Sequence, residues 1–285
     1  MNRDTRKSMR VIKLSRVVET CHYALKENRI NTKRLATILN VKPRRAVEIL
    51  KEVTRMSLLV EENSTYRPNK NCKEFLQKVE DEDWFGVHKI MLSYPYYASF
   101  YNKLKVQSNS KTTQEILSML KEDTVYFNQV TVDNLCDWCE RLEVVQRNVL
   151  TGKYYAIGNT IKNFKNVFMH VYNSLNVTIG LGMQQRYVEI PKMREIICEE
   201  LKISRKLFDR SFKKFYLKNI GTIELSGAPF TTHAKKTQKK VKKTLISNMH
   251  EKFTTILSSE KYLDGINVNG KAYYYAAYHG GKLYG

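Results

Sequence analysis

Cys136 and Cys139 have the three-residue spacing with which a pair of thiolates can bind zinc. A structural zinc site needs four ligands, and no second Cys-x-x-Cys or His-x-x-x-His pair follows them. Cys72 and Cys198 stand alone. Positions three apart on a helix face the same side, so we expect Cys136 and Cys139 to be small buried hydrophobic residues and predict no metal site.

Residues with the spacing of catalytic motifs are almost absent. His279-Gly280-Gly281-Lys282 lacks the spacing and the following Ser or Thr of a phosphate-binding loop. The six histidines form no His-Glu-x-x-His motif, and neither Gly-x-Ser-x-Gly nor a deaminase pattern occurs. A metal-dependent nuclease needs clustered carboxylates to hold Mg²⁺. Most acidic residues outside the middle of the chain stand beside basic neighbours, so a hidden nuclease site is the less favoured alternative. We predict a non-enzymatic protein without catalytic residues or cofactors.

Cationic side chains greatly outnumber acidic side chains in this sequence. Its 285 residues include 49 Lys and Arg against 28 Asp and Glu, a net charge of +21. The excess is concentrated in residues 1–70, 158–232 and 233–285, whereas residues 71–157 are slightly acidic. Such an excess favours polyanions, with nucleic acid the first candidate and an anionic membrane face the second. The uneven distribution indicates that different segments have different partners.

Helical periodicity positions the first group of cations. Apolar residues from Val11 to Asn28 predict one helix, and Thr32 is placed to cap a second helix, Lys33–Leu39. After a turn, Pro43 suits the first position of a third helix that buries Ala46, Leu50 and Val53. Two strands, Leu58–Glu62 and Thr65–Arg67, are predicted around a turn at Asn63-Ser64.

The stretch Asn31–Pro68 (NTKRLATILNVKPRRAVEILKEVTRMSLLVEENSTYRP) resembles the winged helix-turn-helix superfamily. The resemblance implies that the third helix lies in the major groove of duplex DNA and that the hairpin, or wing, contacts the backbone or the minor groove.

The same pattern returns in Glu189–Pro229. Aligning Leu39-Asn40-Val41 with Leu201-Lys202-Ile203, 162 residues later, matches the buried positions of the two third helices without a gap. Ser204 is predicted to cap the helix Arg205–Leu217, whose core positions are Phe208, Phe212 and Phe215. Asn219–Leu225 would begin the second wing, for which no return strand is evident. Such a spacing suits duplicated domains rather than a solenoid.

A weaker third copy is predicted between them, with helices at Thr113–Leu120 and Val130–Leu142 and a hairpin of Val144–Asn148 with Lys153–Ile157. Its second helix is acidic, so a phosphate backbone would be repelled there. We expect a spacer, or a surface for a homodimer or a protein partner. The outward residues are Asp133, Asp137, Glu140 and Glu143.

The predicted DNA contacts are the cations opposite the buried positions of the two third helices, together with one wing arginine and a lysine run. Arginines near a helix N-terminus can bond guanine edges bidentately, and the other cations suit phosphates. The outward face of the first of these helices is also predicted to carry Glu48 and Glu52, and that of the second Asp209. For both helices, the alternative interpretation is a solvated face that contacts no DNA. The predicted contacts are Lys42, Arg44, Arg45, Lys51, Arg55 and Arg67 in the first copy, Arg205, Lys206, Arg210, Lys213 and Lys214 in the second, and Lys235, Lys236, Lys239 and Lys240 in the run.

Three segments of the sequence admit competing interpretations. The run Lys235–Lys243, continued as a predicted helix to about Ser258, is either a phosphate contact or a solvated linker. The tyrosines Tyr273, Tyr274, Tyr275 and Tyr278 could stack on bases, although packing in a small sheet is favoured. The aromatic segment Trp84–Tyr101 is either a dimer surface or, as we favour, an internal core.

We expect a mostly α (α+β) chain of tandem winged helix-turn-helix domains joined by helical linkers. The predicted segments are 1–70, 71–111, 112–158, 159–232 and 233–285. No apolar run reaches the roughly 18 residues of a membrane span, and no export signal is evident, so we expect a soluble protein without membrane partners. The odd number of cysteines favours a reducing compartment, hence an intracellular location on DNA in the cytoplasm, nucleoid or nucleus.

The function expected first is a sequence-specific transcription regulator that binds two major-groove segments of double-stranded DNA. The alternatives are a replication initiator or accessory protein of a plasmid, virus or mobile element, a protein-interaction scaffold, and an RNA binder.

Overall fold

The computed structural model describes residues 8–121, 123, 125–177, 187–227, 242–243, 256–257, 263–282 and 284. These residues form a mostly α, α+β chain with small antiparallel sheets. They group into two compact units, which are described separately. The first contains the described residues of Met1–Gln146 and Lys243–Ile256, and the second those of Arg147–Lys242 and Leu257–Gly285.

The first unit begins with three helices and a three-stranded sheet. The antiparallel sheet has the order β1-β3-β2, in which Ile30 pairs with Tyr66 and Val60 with Arg67. The turn between β2 and β3 lies at Asn63 and Ser64, both with positive φ, as two-residue hairpin turns require. The elements are α1 (Leu14–Glu27), β1 (Ile30–Asn31), α2 (Thr32–Leu39), α3 (Pro43–Arg55), β2 (Leu59–Glu62) and β3 (Thr65–Pro68).

The predicted helices and hairpin of this part are confirmed with small shifts. α1 begins at Leu14 rather than near Val11, because its N-cap residue, Lys13, has an extended backbone. The cap of α2 is Asn31, whose side chain accepts a hydrogen bond from the Arg34 amide at 2.9 Å, and not Thr32 as predicted. Pro43 occupies the first turn of α3 as predicted.

The rest of the first unit is helical and rich in aromatic residues. Tyr94, Tyr96, Tyr97 and Phe100 are buried, so the predicted internal core is confirmed for this segment, whereas Phe85 is exposed. Its further helices are α4 (Lys70–Glu80), α5 (Trp84–Met91), α6 (Pro95–Lys105), α7 (Thr113–Met119) and α8 (Gln129–Arg141). The first unit ends within β4 (Val145–Arg147), which forms a two-stranded hairpin with the strand that follows it in the chain, β5 (Tyr154–Ala156). The predicted hairpin is therefore present.

The second unit packs three helices on a four-stranded sheet. Its core contains Phe168, Ile197, Phe208, Phe212 and Ala276. The central strand, β11, pairs with β7 on one side and with β6 and β10 on the other, all antiparallel. The elements are α9 (Phe164–Val177), β6 (Tyr187–Glu189), α10 (Ile190–Leu201), α11 (Arg205–Lys218), β7 (Ile223–Gly227), β10 (Ile266–Val268) and β11 (Lys271–Tyr278).

The strand that returns along β7 is β11, which the sequence did not identify. Tyr278 pairs with Ile223, Ala276 with Leu225 and Tyr273 with Gly227. The favoured interpretation of the C-terminal tyrosines is confirmed, because Tyr273, Tyr274, Tyr275 and Tyr278 belong to this sheet.

The predicted helix that continues from the lysine run is wrong in its two described segments, of two residues each. Lys242–Lys243 (β8) and Ile256–Leu257 (β9) are strands that pair with each other. Lys235, Lys236, Lys239 and Lys240 lie outside the described residues.

Candidate nucleic-acid interface

A left-handed residue joins α2 to α3. Asn40 has φ 49° and ψ 55°, and the amide of Val41 donates to the Ala36 carbonyl at 3.0 Å. Asn is among the few residues that enter this region at small cost. The turn fixes the direction in which α3 leaves α2.

The same turn joins α10 to α11. Lys202 has φ 53° and ψ 43°, and the amide of Ile203 donates to the Cys198 carbonyl at 3.0 Å. Each of these positions lies 162 residues after its counterpart, Asn40, Val41 or Ala36. Ser204 caps α11 as predicted, since its hydroxyl accepts from the Leu207 amide at 3.1 Å. The predicted alignment of the two helix pairs therefore holds in the backbone.

The outward side of α3 carries Arg44, Glu48 and Lys51, spaced so that they share one side of the helix. The Arg44 side chain is 94% exposed, and its Nε lies 4.0 Å from an oxygen of Glu48. Lys51 is half-buried, and Lys42, just before the helix, is exposed. These predicted cations are accessible to a ligand along α3.

Arg45 and Arg55 hold the N-terminal segment, a role that the sequence did not predict. Arg45 donates to the Val11 carbonyl at 2.6 Å and to Glu48 at 2.9 Å. Arg55 donates to the Ser8 carbonyl at 3.2 Å and to the Tyr96 hydroxyl at 3.1 Å. Both guanidinium groups are thus engaged within the unit.

Glu52 is fully buried, so its predicted position on the exposed face is wrong. Its carboxylate accepts hydrogen bonds from the Arg10 amide at 3.0 Å and from the hydroxyl of Tyr94, and it pairs with Arg55 at 3.3 Å. Burial and the negative charge of Glu52 raise the pKa of Tyr94, which therefore stays a hydrogen-bond donor. The glutamate is a structural residue because it neutralises buried donors.

The outward side of α11 is basic along its length. Lys206, Arg210 and Lys214 are exposed, and Lys213 is half-buried. Lys206 and Lys213 occupy the positions equivalent to Arg44 and Lys51, 162 residues apart. Lys218 extends the exposed basic side by one turn, beyond the residues predicted from sequence.

Arg205 is buried, so the prediction that it is exposed is wrong. Its guanidinium donates to both carboxylate oxygens of Glu195, at 2.5 and 2.6 Å, and to the Arg147 carbonyl at 2.6 Å. A bidentate pair of this kind fixes both side chains. Arg205 is therefore not one of the accessible cations of α11.

Asp209 is half-buried and pairs with the buried Arg194 at 3.1 Å. Burial outweighs this ion pair and raises the pKa of Asp209. Asp209, which the sequence placed on the outward side, is thus paired with a buried arginine. The α11 residue equivalent to Glu48 is Arg210.

The hairpin of β2 and β3 carries Arg67, which is 44% exposed and donates to Glu62 at 2.7 Å. An exposed pair of this type is weak and exchanges readily with solvent or another anion. Arg67 is accordingly accessible on the hairpin.

In the segment predicted as an acidic third copy, two of the four acidic residues expected to face outward are half-buried, and Asp133 accepts a hydrogen bond from Gln129 at 2.8 Å. On α8, Asp133 is exposed, whereas Asp137 and Glu140 are half-buried, and Glu143 is exposed just after the helix. Asp137 accepts two hydrogen bonds from Arg141, at 2.8 and 2.9 Å. Trp138, on the opposite side, donates to the Ile12 carbonyl at 3.1 Å, so α8 also helps to hold the N-terminal segment.

Cys136 and Cys139 are buried as predicted. In the described ranges, no group of three or more His, Cys, Asp or Glu side chains could hold a metal ion. Nor does this part of the chain contain a helix with the length and apolar character needed to cross a membrane. Compared with known proteins, the chain matches no family model and no curated sequence.

Proposed function

We propose that the chain is a non-enzymatic double-stranded DNA-binding protein with two winged helix-turn-helix domains. In this proposal α3 and α11 enter the major groove. The observation that carries it is the repeated turn between two helices, followed in the same register by outward cations. These are exposed Arg44 and half-buried Lys51 in one copy, and exposed Lys206 and half-buried Lys213 in the other.

The strand arrangement supports two domains of the same type. In both units a returning strand lies between two others: the strand that precedes the second helix and the strand that follows the third helix. The strand order is β1-β3-β2 in the first unit and β6-β11-β7 in the second. Winged helices combine three helices with a hairpin of this kind. The net charge of +21 supports a polyanionic ligand.

Among DNA-binding proteins, we propose first that this chain is a sequence-specific transcription regulator. The first copy has both a complete helix pair and a short hairpin with an accessible arginine, which are the parts needed to read bases and hold the backbone. A replication initiator of a plasmid, virus or mobile element would use the same parts. The genomic position of the bound sequence separates the two.

An interaction scaffold is the second candidate, and the observation that favours it is acidic α8. Exposed Asp133 and Glu143 give this copy the wrong charge for a phosphate backbone. A scaffold predicts that reversing these two charges abolishes partner binding while Arg44→Ala has no effect. An RNA binder predicts that single-stranded RNA competes with duplex DNA for the protein.

The test of the proposed function is a selection of random duplexes on the purified full chain at about 150 mM salt, where non-specific contacts weaken. We expect one motif to be enriched. Arg44→Ala should weaken binding to this motif at least about ten-fold more than binding to random duplex, as expected for a lost base contact.

The matched control is Arg147→Ala, which removes another exposed arginine, outside α3 and α11. It should leave the preference for the motif unchanged. Absence of any enriched motif, together with unchanged binding by Arg44→Ala, would contradict the proposal.

A further inference from the structure

At one of three equivalent positions on the outward sides of α3 and α11, the two helices carry opposite charges. Along α11 the residues are Lys206, Arg210 and Lys213, all basic. Along α3 the equivalent residues are Arg44, Glu48 and Lys51, so a carboxylate stands where α11 has a guanidinium. A carboxylate in the middle of a DNA-facing side is repelled by phosphates. Ion pairs within α3 offset part of this repulsion, and a hydrogen bond accepted from a base would offset it further in the complex.

The surroundings of Glu48 orient its carboxylate at this surface. Arg45 donates to one oxygen at 2.9 Å, and Arg44 lies 4.0 Å from the other. Arg45 is itself fixed by its bond of 2.6 Å to the Val11 carbonyl. The Glu48 side chain is 27% exposed, so its carboxylate is accessible from solvent on the outward side of α3.

The hydrogen-bond pattern of the major groove restricts what such a carboxylate can recognise. Cytosine presents an amino group there, and Glu and Asp side chains accept from it. Arg44, one turn earlier on the same side of α3, is suited to guanine. The alternating charges of α3 thus match base edges, whereas the uniform positive charge of α11 matches phosphates.

We propose that Glu48 is a specificity-determining residue, which selects a cytosine in the DNA segment contacted by α3, and that α11 binds its own segment mainly through phosphates. This inference rests on the proposed function. It adds that the two copies contribute differently to binding: the first copy selects bases, and the second supplies charge-dependent affinity.

The test repeats the duplex selection with Glu48→Gln. We expect the cytosine preference at one position of the motif to be lost and the other positions to keep their preferences. Discrimination at that position should fall about ten-fold, the effect of one good base contact. Affinity for random duplex should rise, because a negative charge has been removed from the interface.

Two controls separate base recognition from a general charge effect. Glu80→Gln removes an exposed carboxylate from α4 and should leave both selectivity and random-duplex affinity unchanged. Arg210→Ala should weaken binding to all sequences by a similar factor. Because the ion pairs of Glu48 are local helix pairs, we expect Glu48→Gln to fold, which its circular dichroism checks.

A second measurement uses the wild-type protein. A duplex that carries N4-methylcytosine at the selected position lacks the groove-facing donor, so wild-type affinity should fall about ten-fold while that of Glu48→Gln should not change. Identical base preferences in wild type and Glu48→Gln, or wild-type indifference to the methylated base, would overturn the inference. Failure of the wild-type chain to enrich any motif would instead overturn the proposed function.

Discussion

The arginines of this chain serve two purposes that the sequence does not distinguish. Arg44 reaches solvent at the start of α3, whereas Arg205, at the start of α11, is enclosed with Glu195. A buried ion pair loses hydration and is retained only where geometry and further hydrogen bonds compensate. Arg205 has both, because it bonds the carboxylate at two points and the Arg147 carbonyl at a third. It therefore positions α11 rather than contacting a ligand.

We predict that Arg205→Ala lowers the free energy of unfolding of the second unit by about 3 to 5 kcal/mol, because it leaves the carboxylate of Glu195 buried without its partner. Lys206→Ala, which changes the neighbouring exposed residue, should alter stability by less than about 0.5 kcal/mol. Urea unfolding of the full-length variants measures both values. Equal stabilities of the two variants would contradict the structural role of Arg205.

At the scale of elements, the turns that join α2 to α3 and α10 to α11 share one backbone geometry. Asn40 and Lys202 both adopt the left-handed conformation. Residues with a β-carbon are strained there by about 1 to 2 kcal/mol, and Asn is tolerated better than most. The shared geometry shows that the αL turn, rather than side-chain identity, defines the repeat.

This geometry gives a prediction for Asn40. Asn40→Ala should lower the free energy of unfolding of the first unit by about 1 kcal/mol, whereas Asn40→Gly should be close to neutral, because glycine adopts positive φ without a steric cost. Chemical denaturation followed by circular dichroism measures the difference. Equal destabilisation by alanine and glycine would show that the Asn side chain, and not the backbone conformation, stabilises the turn.

Local patterns in the sequence predicted the helices and their order but not the long-range pairing. The spacing of Leu35, Leu39, Leu50 and Val53 identified α2 and α3, since burial on one face imposes a helical period. The pairing of β11 with β7 was missed because residues 228–270 intervene between the two strands, and strand pairing over such a separation leaves no periodic signal.

The candidate interface was predicted in part. The accessible cations of α3 and α11 follow from helical spacing. The burial of Glu52 and Arg205 does not, because each lies at the border of an apolar face and bonds to residues distant in sequence. These partners are Arg10 and Tyr94 for Glu52, and Arg147 for Arg205. Reading the two copies in register would also have shown the exchange of Glu48 for Arg210.

At the scale of the whole molecule, the charge map and the two units suggest that one chain contacts two segments of DNA. The segments 1–70 and 158–232, which carry α3 and α11, are each strongly basic, and the acidic α8 lies between them in sequence. Affinity falls as the salt concentration rises, and each exposed cation that neutralises a phosphate makes the slope of log affinity against log salt concentration more negative by about 0.9. The two units should therefore contribute separately to binding.

This expectation can be tested by hydroxyl-radical footprinting on the selected duplex. The wild-type chain should protect two segments, centred roughly 34 Å or a multiple of that distance apart, since both helices would enter the major groove from one side of the duplex. Arg44→Ala should weaken protection of one segment, and Lys214→Ala should weaken protection of the other. Lys214→Ala should also make the slope of log affinity against log salt concentration less negative by about 0.9. Lys73→Ala removes an exposed lysine of α4 and should change neither segment. Loss of protection at the same single segment in both variants would contradict separate contacts and would mean that α3 and α11 act on one segment.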